Sequence, residues 1–477
     1  MLPRLRIHRF TIYISLTLCF LAATYLLLGH DDFTHTGSWR TPLYSNQGEE
    51  AAPKEKSTGK GAGSLASSTR SPAPKTASSP TAAPRPSKTE LISIARNLLP
   101  SILDPTNTSF DRMTCPPINQ TRYSYLKVDK RESKHKYFFA LNLRQCVDLL
   151  PRLMGSVLEA IRFLGPQNCA LSIVEGNSDD GTLEVLELLT DELGRLGTAY
   201  YLRRSTLNPS DGQRIEKLAQ LRAMAVEPIT GIAGDTGPAA EATAAAKKLD
   251  LADGATVLFI NDVAACAEDL LELAHQRALQ RADMTCAMDW THPGGGGPPL
   301  FYDVWVARAL NGDLFFDIPA GTAGWERAGD LFFNEATARS RLAAGRPFQV
   351  FACWNGAVAF AAGPVAAGEV RFRSSAGGEC FQGEPQLFCK DMWFRGRGRI
   401  AVVPSVNLEY TDALGRLVKR EKGYVSDWVA REGEPEPGAG DRPPMDISWQ
   451  LEPPEKVKCM PEFKRQSWLP WNESLAR

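Results

Sequence analysis

Thr256-Val-Leu-Phe-Ile260, running straight into Asn261-Asp262-Val263, is the stretch on which the fold turns. Its β-branched, aliphatic and aromatic side chains form an unbroken run, the mark of a strand buried on both faces. The polar residues directly after Ile260 mark its carboxyl end. Outward toward the N-terminus, Ala170–Val174, Ala199–Leu202 and the aromatic-rich Tyr137–Leu143 have the same character. Between them lie apolar residues at helical spacing: Leu149, Leu150, Leu153, Val157 and Ile161 over Val147–Phe163, then Thr182–Leu193, then Ile215, Leu218, Leu221 and Ala225 over Arg214–Ala225. Gly231–Lys248, rich in Ala and Gly, is an insertion or a weakly packed helix. Outward toward the C-terminus, a helix over Glu268–Gln280 and a strand near Met284–Met288 continue the pattern. This alternation predicts an α/β fold, a mainly parallel sheet with helices on both faces, and no internal repeat interrupts it.

Ligands of such sheets bind beyond the carboxyl ends of the strands, where the strand order reverses. Two acidic loops stand there. Glu175-Gly-Asn-Ser-Asp-Asp-Gly-Thr182 follows the second strand, and Asn261-Asp262 follows the strand that opened this reading. In the first, Asp180-Gly-Thr is a sound helix start and a capped turn accounts for it. The functional reading places Glu175, Asn177 and Asp179 on the base and ribose of a nucleotide, with the helix start facing a phosphate. In the second, a carboxylate beside an amide is a good oxygen site for Mn²⁺ or Mg²⁺, although a lone Asp after a strand is commonly a turn residue. Arg214 and Arg222 fall about 80° apart around one helix, so both can point to one pocket and bind phosphate. A solvated basic face is the plainer alternative.

Composition bounds the partners and the N-terminus bounds the compartment. With 54 basic and 55 acidic residues, the net charge of −1 gives no electrostatic case for nucleic acid. Hydrophobic residues make up 43% of the 477, enough for a large buried core. Thr11–Leu28 carries no charge, and as a helix would be roughly 27 Å long, close to the hydrocarbon thickness of a thin bilayer. Arg4, Arg6 and Arg9 precede it and Asp31 and Asp32 follow, so the N-terminus stays cytosolic and the remainder crosses. No small-residue cleavage site follows the run. The expected organisation is a cytosolic tail (1–10), a transmembrane signal anchor (11–29), a disordered stem rich in Ala, Pro, Ser and Thr (30–89) and a lumenal domain (90–477). Sequons at Asn107, Asn119 and Asn472 agree with that compartment. Of ten cysteines, none in a metal-type CxxC, the nine beyond the anchor meet an oxidising lumen where some pair and at least one stays a thiol.

FFALNLRQCVDLLPRL, SIVEGNSDDGT, RIEKLAQLRAMA, VLFINDVAAC, MTCAMDW, FYDVWVAR, FACWNGAVAF, FRSSAGGECFQGEPQLFCKDMW, GRIAVVPSVNLEYTD and PEKVKC run in order from Tyr137 to Cys459. In combination they resemble glycosyltransferase family 69, the fungal cryptococcal mannosyltransferase and capsule-associated protein family. The resemblance implies a GT-A-like fold, GDP-mannose as donor, a divalent cation (Mn²⁺ or Mg²⁺), α-1,3-mannosidic products on a mannan or other glycan acceptor, and a type II Golgi membrane protein, able to work in a complex with other glycosyltransferases. It implies Asp262 as the leading metal ligand. Asp289 and Asp303 are alternative ligands or donor contacts, and Asp303, among aromatics, is equally readable as structural. Trp354 and Asn355 are placed on a sugar or base, with an ordinary core tryptophan as the alternative. Transfer from an α-linked donor to an α-linked product retains configuration, which calls for a carboxylate near the anomeric carbon. Glu384 is first in line and Asp391 second, as an acceptor or metal contact. Cys380 and Cys389 are positioned to pair across that segment. A retaining transferase with another sugar nucleotide, or a lumenal scaffold without turnover, are the alternatives.

Overall fold

The computed structural model describes residues 86–128, 134–232, 248–293, 297–320, 325–433 and 443–475, all within the unit Gly61–Arg477. The tail, the anchor and nearly all of the expected stem lie outside the described residues, as does most of Gly231–Lys248. Among the described residues, no helix is long and apolar enough to cross a membrane.

Helix α1 (Lys88–Leu103) opens on a capping box in which Ser87 and Glu90 satisfy each other's backbone amides. The expected alternation then follows in order: β1 (His135–Leu143), α2 (Leu150–Leu164), β2 (Cys169–Glu175), α3 (Thr182–Leu196), β3 (Ala199–Arg204), α4 (Arg214–Thr230), β4 (Leu251–Ile260), α5 (Ala267–Leu279) and β5 (Met284–Thr291). Beyond it come β6 (Leu300–Phe301), β7 (Arg308–Ala309), α6 (Ala336–Ala343), β8 (Phe348–Ala352), β9 (Ala357–Ala361), α7 (Ala362–Ala366), α8 (Glu384–Phe394), β10 (Ile400–Leu408), α9 (Asp412–Lys422) and α10 (Val425–Ala430). A separate antiparallel hairpin, β11 (Lys456–Glu462) and β12 (Arg465–Pro470), ends the described chain.

The main sheet has the order β3-β2-β1-β4-β9-β5-β10-β8-β7, with β6 paired to β5. β2 pairs with β3, β1 with both β2 and β4, and β5 with β10, all in parallel. β9 is antiparallel to both of its neighbours, β4 and β5. The sequence did not disclose this insertion. Ala357-Val-Ala-Phe-Ala361 is uniformly apolar and five residues long, and periodicity cannot assign so short a run. Successive residues of the central strands fall into opposite cores. Val257 and Phe259 join one cluster, and Leu258 and Ile260 the other, under α2 and α5.

Among the described residues three disulfides form: Cys115, ahead of β1, with Cys266 at the start of α5; Cys286 of β5 with Cys353 after β8; and Cys380 with Cys459 of β11. The expected Cys380–Cys389 pair is not formed. α8 turns Cys389 into the core, where its thiol donates to the carbonyl of Cys353, while Cys380 sits ahead of the helix and reaches β11.

Candidate functional site

The loop after β2 is closed on itself. Glu175 is fully buried at the strand tip, and its two carboxylate oxygens accept the backbone N–H groups of Asn177 (3.1 Å) and Ser178 (2.8 Å). Asp180 accepts from Val147 and Thr182, which fastens the loop to the turn after β1 and starts α3. Asp179 is exposed and exchanges hydrogen bonds with Gln145, and exposed Asn177 takes a left-handed backbone (φ 59°). These acids organise backbone amides, as N-terminal caps do.

The carboxyl ends of β4 and β5, with β9 starting between them, hold a different kind of cluster. The Trp354-Asn355-Gly356 turn leads into β9 through two left-handed residues, Asn355 (φ 52°) and Gly356 (φ 84°). A side chain at Gly356 would press on Asp289 and Val263, both 3.3 Å from its first carbon, so glycine lets the turn lie against both strand tips. Asn261 donates its N–H to the Gly356 carbonyl, and Asn355 donates its backbone N–H to Asp303 (2.9 Å) and its amide to the Ala287 carbonyl (2.9 Å). Asp289 is fully buried and accepts from the Tyr410 hydroxyl (2.7 Å), whose ring packs on Tyr302.

Arg222 comes to the same place from α4. Its Nε donates to Glu384 (2.8 Å), an Nη donates to Asn261 (3.4 Å), and the guanidinium lies 4.5 Å over the ring of Trp354. Trp354 in turn donates its indole N–H to Asn261 and packs edge-on against Phe259, Phe372 and Phe388. Trp354 is thus a core aromatic that serves the site by carrying Arg222. Both Arg222 and Glu384 are withdrawn from solvent, so the pair forms the floor of the site. Arg214 stands half-buried at the start of α4, two turns before.

Asp289, Asp303 and Glu384 together outnumber the guanidinium among them, and the electrostatics show it. Burial pushes Asp303 up to about 6; the Asn355 amide and Arg222 pull the other way, and Glu384 adds to the rise. Burial, then the charge of Asp303, raises Asp289 well above the ordinary carboxylate range.

Asp391 stands on α8 two turns beyond Glu384, where Arg373 grips it with two bonds of 2.8 Å. The same Arg373 holds Glu379, which also accepts from Lys390 (2.7 Å). Burial would raise Glu379, but these two cations and the Ala376 amide outweigh it and hold the carboxyl down at about 2. This network braces the segment from Arg373 to Lys390, to which Lys390 also ties the Glu473 carbonyl.

The structure therefore gathers Arg222, Asp289, Asp303, Trp354, Asn355 and Glu384, with Asn261 and Asp262 at the edge, and leaves Glu175, Asn177 and Asp179 in a separate closed loop. Among the described residues, no three His, Cys, Asp or Glu side chains converge on one metal position. Asp262 is half-buried at the tip of β4, and hard cations bound with phosphates need only one or two protein carboxylates. An oxygen donor of this kind fits Mn²⁺ or Mg²⁺. Tyr410 and Tyr302 escaped the sequence reading. Their signal was an aromatic beside an acid in LEYTD and FYDVW, which is also what an ordinary core looks like.

The cryptococcal mannosyltransferase 1 family model matches residues 136–391. Alpha-1,3-mannosyltransferase CMT1 of Cryptococcus neoformans var. neoformans serotype D is 33% identical over 394 residues, covering 80% of this chain and 78% of the relative. These relatives define the class: the protein is a glycosyltransferase. Within that class, the chain belongs to the cryptococcal mannosyltransferase family. Among solved structures, the mannosyltransferase PcManGT from Pyrobaculum calidifontis in complex with GDP-Man and Mn²⁺ overlaps 67% of this chain and 68% of its own at 10% identity, with a TM-score of 0.33. GalNAc-T7 with UDP, GalNAc and Mn²⁺ overlaps 61% and 49% at 15% identity, with a TM-score of 0.34. S. aureus TarS 1-349 overlaps 58% and 60% at 14% identity, with a TM-score of 0.32.

Proposed function

We propose that this glycosyltransferase has a GT-A-like fold and transfers mannose from GDP-mannose to a mannose-containing glycan, forming an α-1,3 linkage with retention, as a type II protein of the Golgi membrane. The observation that carries the reading is the buried acidic cluster at the tips of β4 and β5, built around the 2.8 Å Arg222–Glu384 pair. Family membership supports the sugar, and three disulfides support an oxidising compartment.

Breaking a glycosidic bond to a diphosphate builds positive charge on the sugar and negative charge on the leaving group. A water-poor site with surplus carboxylates stabilises the first of these. Glu384 is fully buried and held by Arg222, so it acts on the anomeric centre through its field, not by attack. Retention then follows from an acceptor that enters on the leaving-group side. Trp354 and Asn261 hold Arg222, and Arg222 holds Glu384 in place. Asp262 is the residue to hold Mn²⁺ or Mg²⁺, which when bound offsets the charge of the departing diphosphate.

The test is incubation of the full-length chain with labelled GDP-mannose and α-mannobiose, with and without Mn²⁺, followed by linkage analysis. The expected product is an α-1,3-linked mannose that forms only with the cation. Transfer from a different sugar nucleotide, or none from any, overturns the reading.

A further inference from the structure

Buried polar atoms without a hydrogen-bond partner are costly, roughly 1–3 kcal/mol each, and folded proteins keep few of them. Among the described residues they concentrate at the ligand edge of the sheet. Apart from Glu268 and Arg308, they include an atom each of Asn142 and Arg144 at the end of β1, Asp289 Oδ1 and both ring nitrogens of His292 at the end of β5, and the whole amide of Gln386 in the first turn of α8, two residues from Glu384. His292 is the most demanding of these. It is only 6% exposed, and a neutral imidazole carries one donor and one acceptor, here both without a partner. It follows the last residue of β5, three positions after Asp289, whose other oxygen is already taken by Tyr410.

We propose that His292 and Asp289 are sugar-reading residues, which hydrogen-bond the hydroxyls of the sugar carried by the nucleotide donor. This rests on the sugar-nucleotide reading above and deepens it. The chemistry selects the ligand. A hydroxyl both donates and accepts, so it satisfies the imidazole and the carboxylate alike. A phosphate only accepts, and would leave the acceptor nitrogen of a neutral His292 as it is.

The experiment measures Kd for GDP and for GDP-mannose, both with Mn²⁺, on the full-length chain and on His292→Phe, His292→Gln and Asp289→Asn. GDP affinity reports that the nucleotide site is folded and is expected to stay within about twofold of wild type. The ratio of the two dissociation constants is expected to shift against GDP-mannose by about tenfold in His292→Phe, the worth of one lost hydrogen bond. His292→Gln, which restores a donor and an acceptor, recovers part of that loss. An unchanged ratio in His292→Phe overturns the proposal, as does a loss confined to KM for α-mannobiose. Loss of GDP binding in both His292 variants overturns it too, by assigning the residue to folding. A wild-type chain that binds neither nucleotide removes the sugar-nucleotide reading itself, and this proposal with it.

Discussion

The loop after β2 and the cluster at the tips of β4 and β5 are both acidic, both sit at carboxyl ends of parallel strands, and spend their acids in opposite ways. After β2, each carboxylate is engaged locally: Glu175 with two backbone amides, Asp180 with two more, Asp179 with Gln145. Around β4 and β5, Asp289, Asp303 and Glu384 are buried in one another's company, with Arg222 set against them and Asp289 keeping an oxygen unpartnered. An acidic strand tip is therefore not in itself a site. What separates the two is whether the acids cap their own loop or are crowded together around one guanidinium.

The largest effect should come from the floor of the β4–β5 cluster. Glu384→Gln keeps the shape and an acceptor for Arg222 but removes the charge, and is expected to lower transfer by at least about 10²-fold while GDP still binds. Single-turnover rates at saturating donor measure this. Activity within about tenfold of wild type would make this cluster a brace like the loop after β2, and the contrast would collapse. Next comes Asp262→Ala, expected to cost about 10²-fold in Mn²⁺-dependent transfer and to abolish the rise in melting temperature on adding Mn²⁺. If that rise survives, the cation is held elsewhere.

Glu175→Ala sharpens the same comparison from the other side. It strips two charge-assisted bonds from a fully buried cap and should cost about 2 kcal/mol in chemical denaturation. The folded fraction should keep its KM for GDP-mannose within about twofold. A tenfold rise in KM would instead put Glu175 on the nucleotide.

That contrast shows where sequence reading stops. β1 to β5 and the helices between them are legible because helices with a definite apolar period alternate with short apolar runs, and both are one-dimensional properties. The tips of β2 and β4 were legible as acidic for the same reason. Whether Glu175 meets a ligand or its own loop depends on the left-handed turn at Asn177, which no run of residues announces. Nor does spacing reveal that β9 slips between β4 and β5, although that insertion brings Asn355 against Asp303. Cys380 paired with a residue 79 positions away, not nine, because α8 faces Cys389 inward. The site residues close in sequence to a strand end could be guessed. The partner that another helix delivers to Arg222, Glu384, needed the fold.

Glu268 offers the smallest effect and the strictest control, since it is an acid with an unpartnered buried oxygen that takes no part in the hydrogen bonds of the Arg222 cluster. It stands in the first turn of α5, where burial drives its carboxyl up to about 7; the Asn119 amide opposes the rise, and Asp269 and Glu272 add to it. The folded state thus binds this proton more tightly than the unfolded chain, whose glutamates titrate near 4.3. Stability should fall as pH climbs from about 4.5 to 7 and carry the full penalty above it. Glu268→Gln removes the penalty, so the variant should match wild type at pH 4.5 and exceed it by about 1 kcal/mol at pH 8, allowing for solvent screening. Transfer activity should not move. Denaturation midpoints at the two pH values decide the matter. A gain that is equal at both would mean that packing, not ionisation, sets the cost. A loss of transfer would mean that an unpartnered buried acid marks a ligand wherever it occurs, and the distinction between strand tip and scaffold would have to be abandoned.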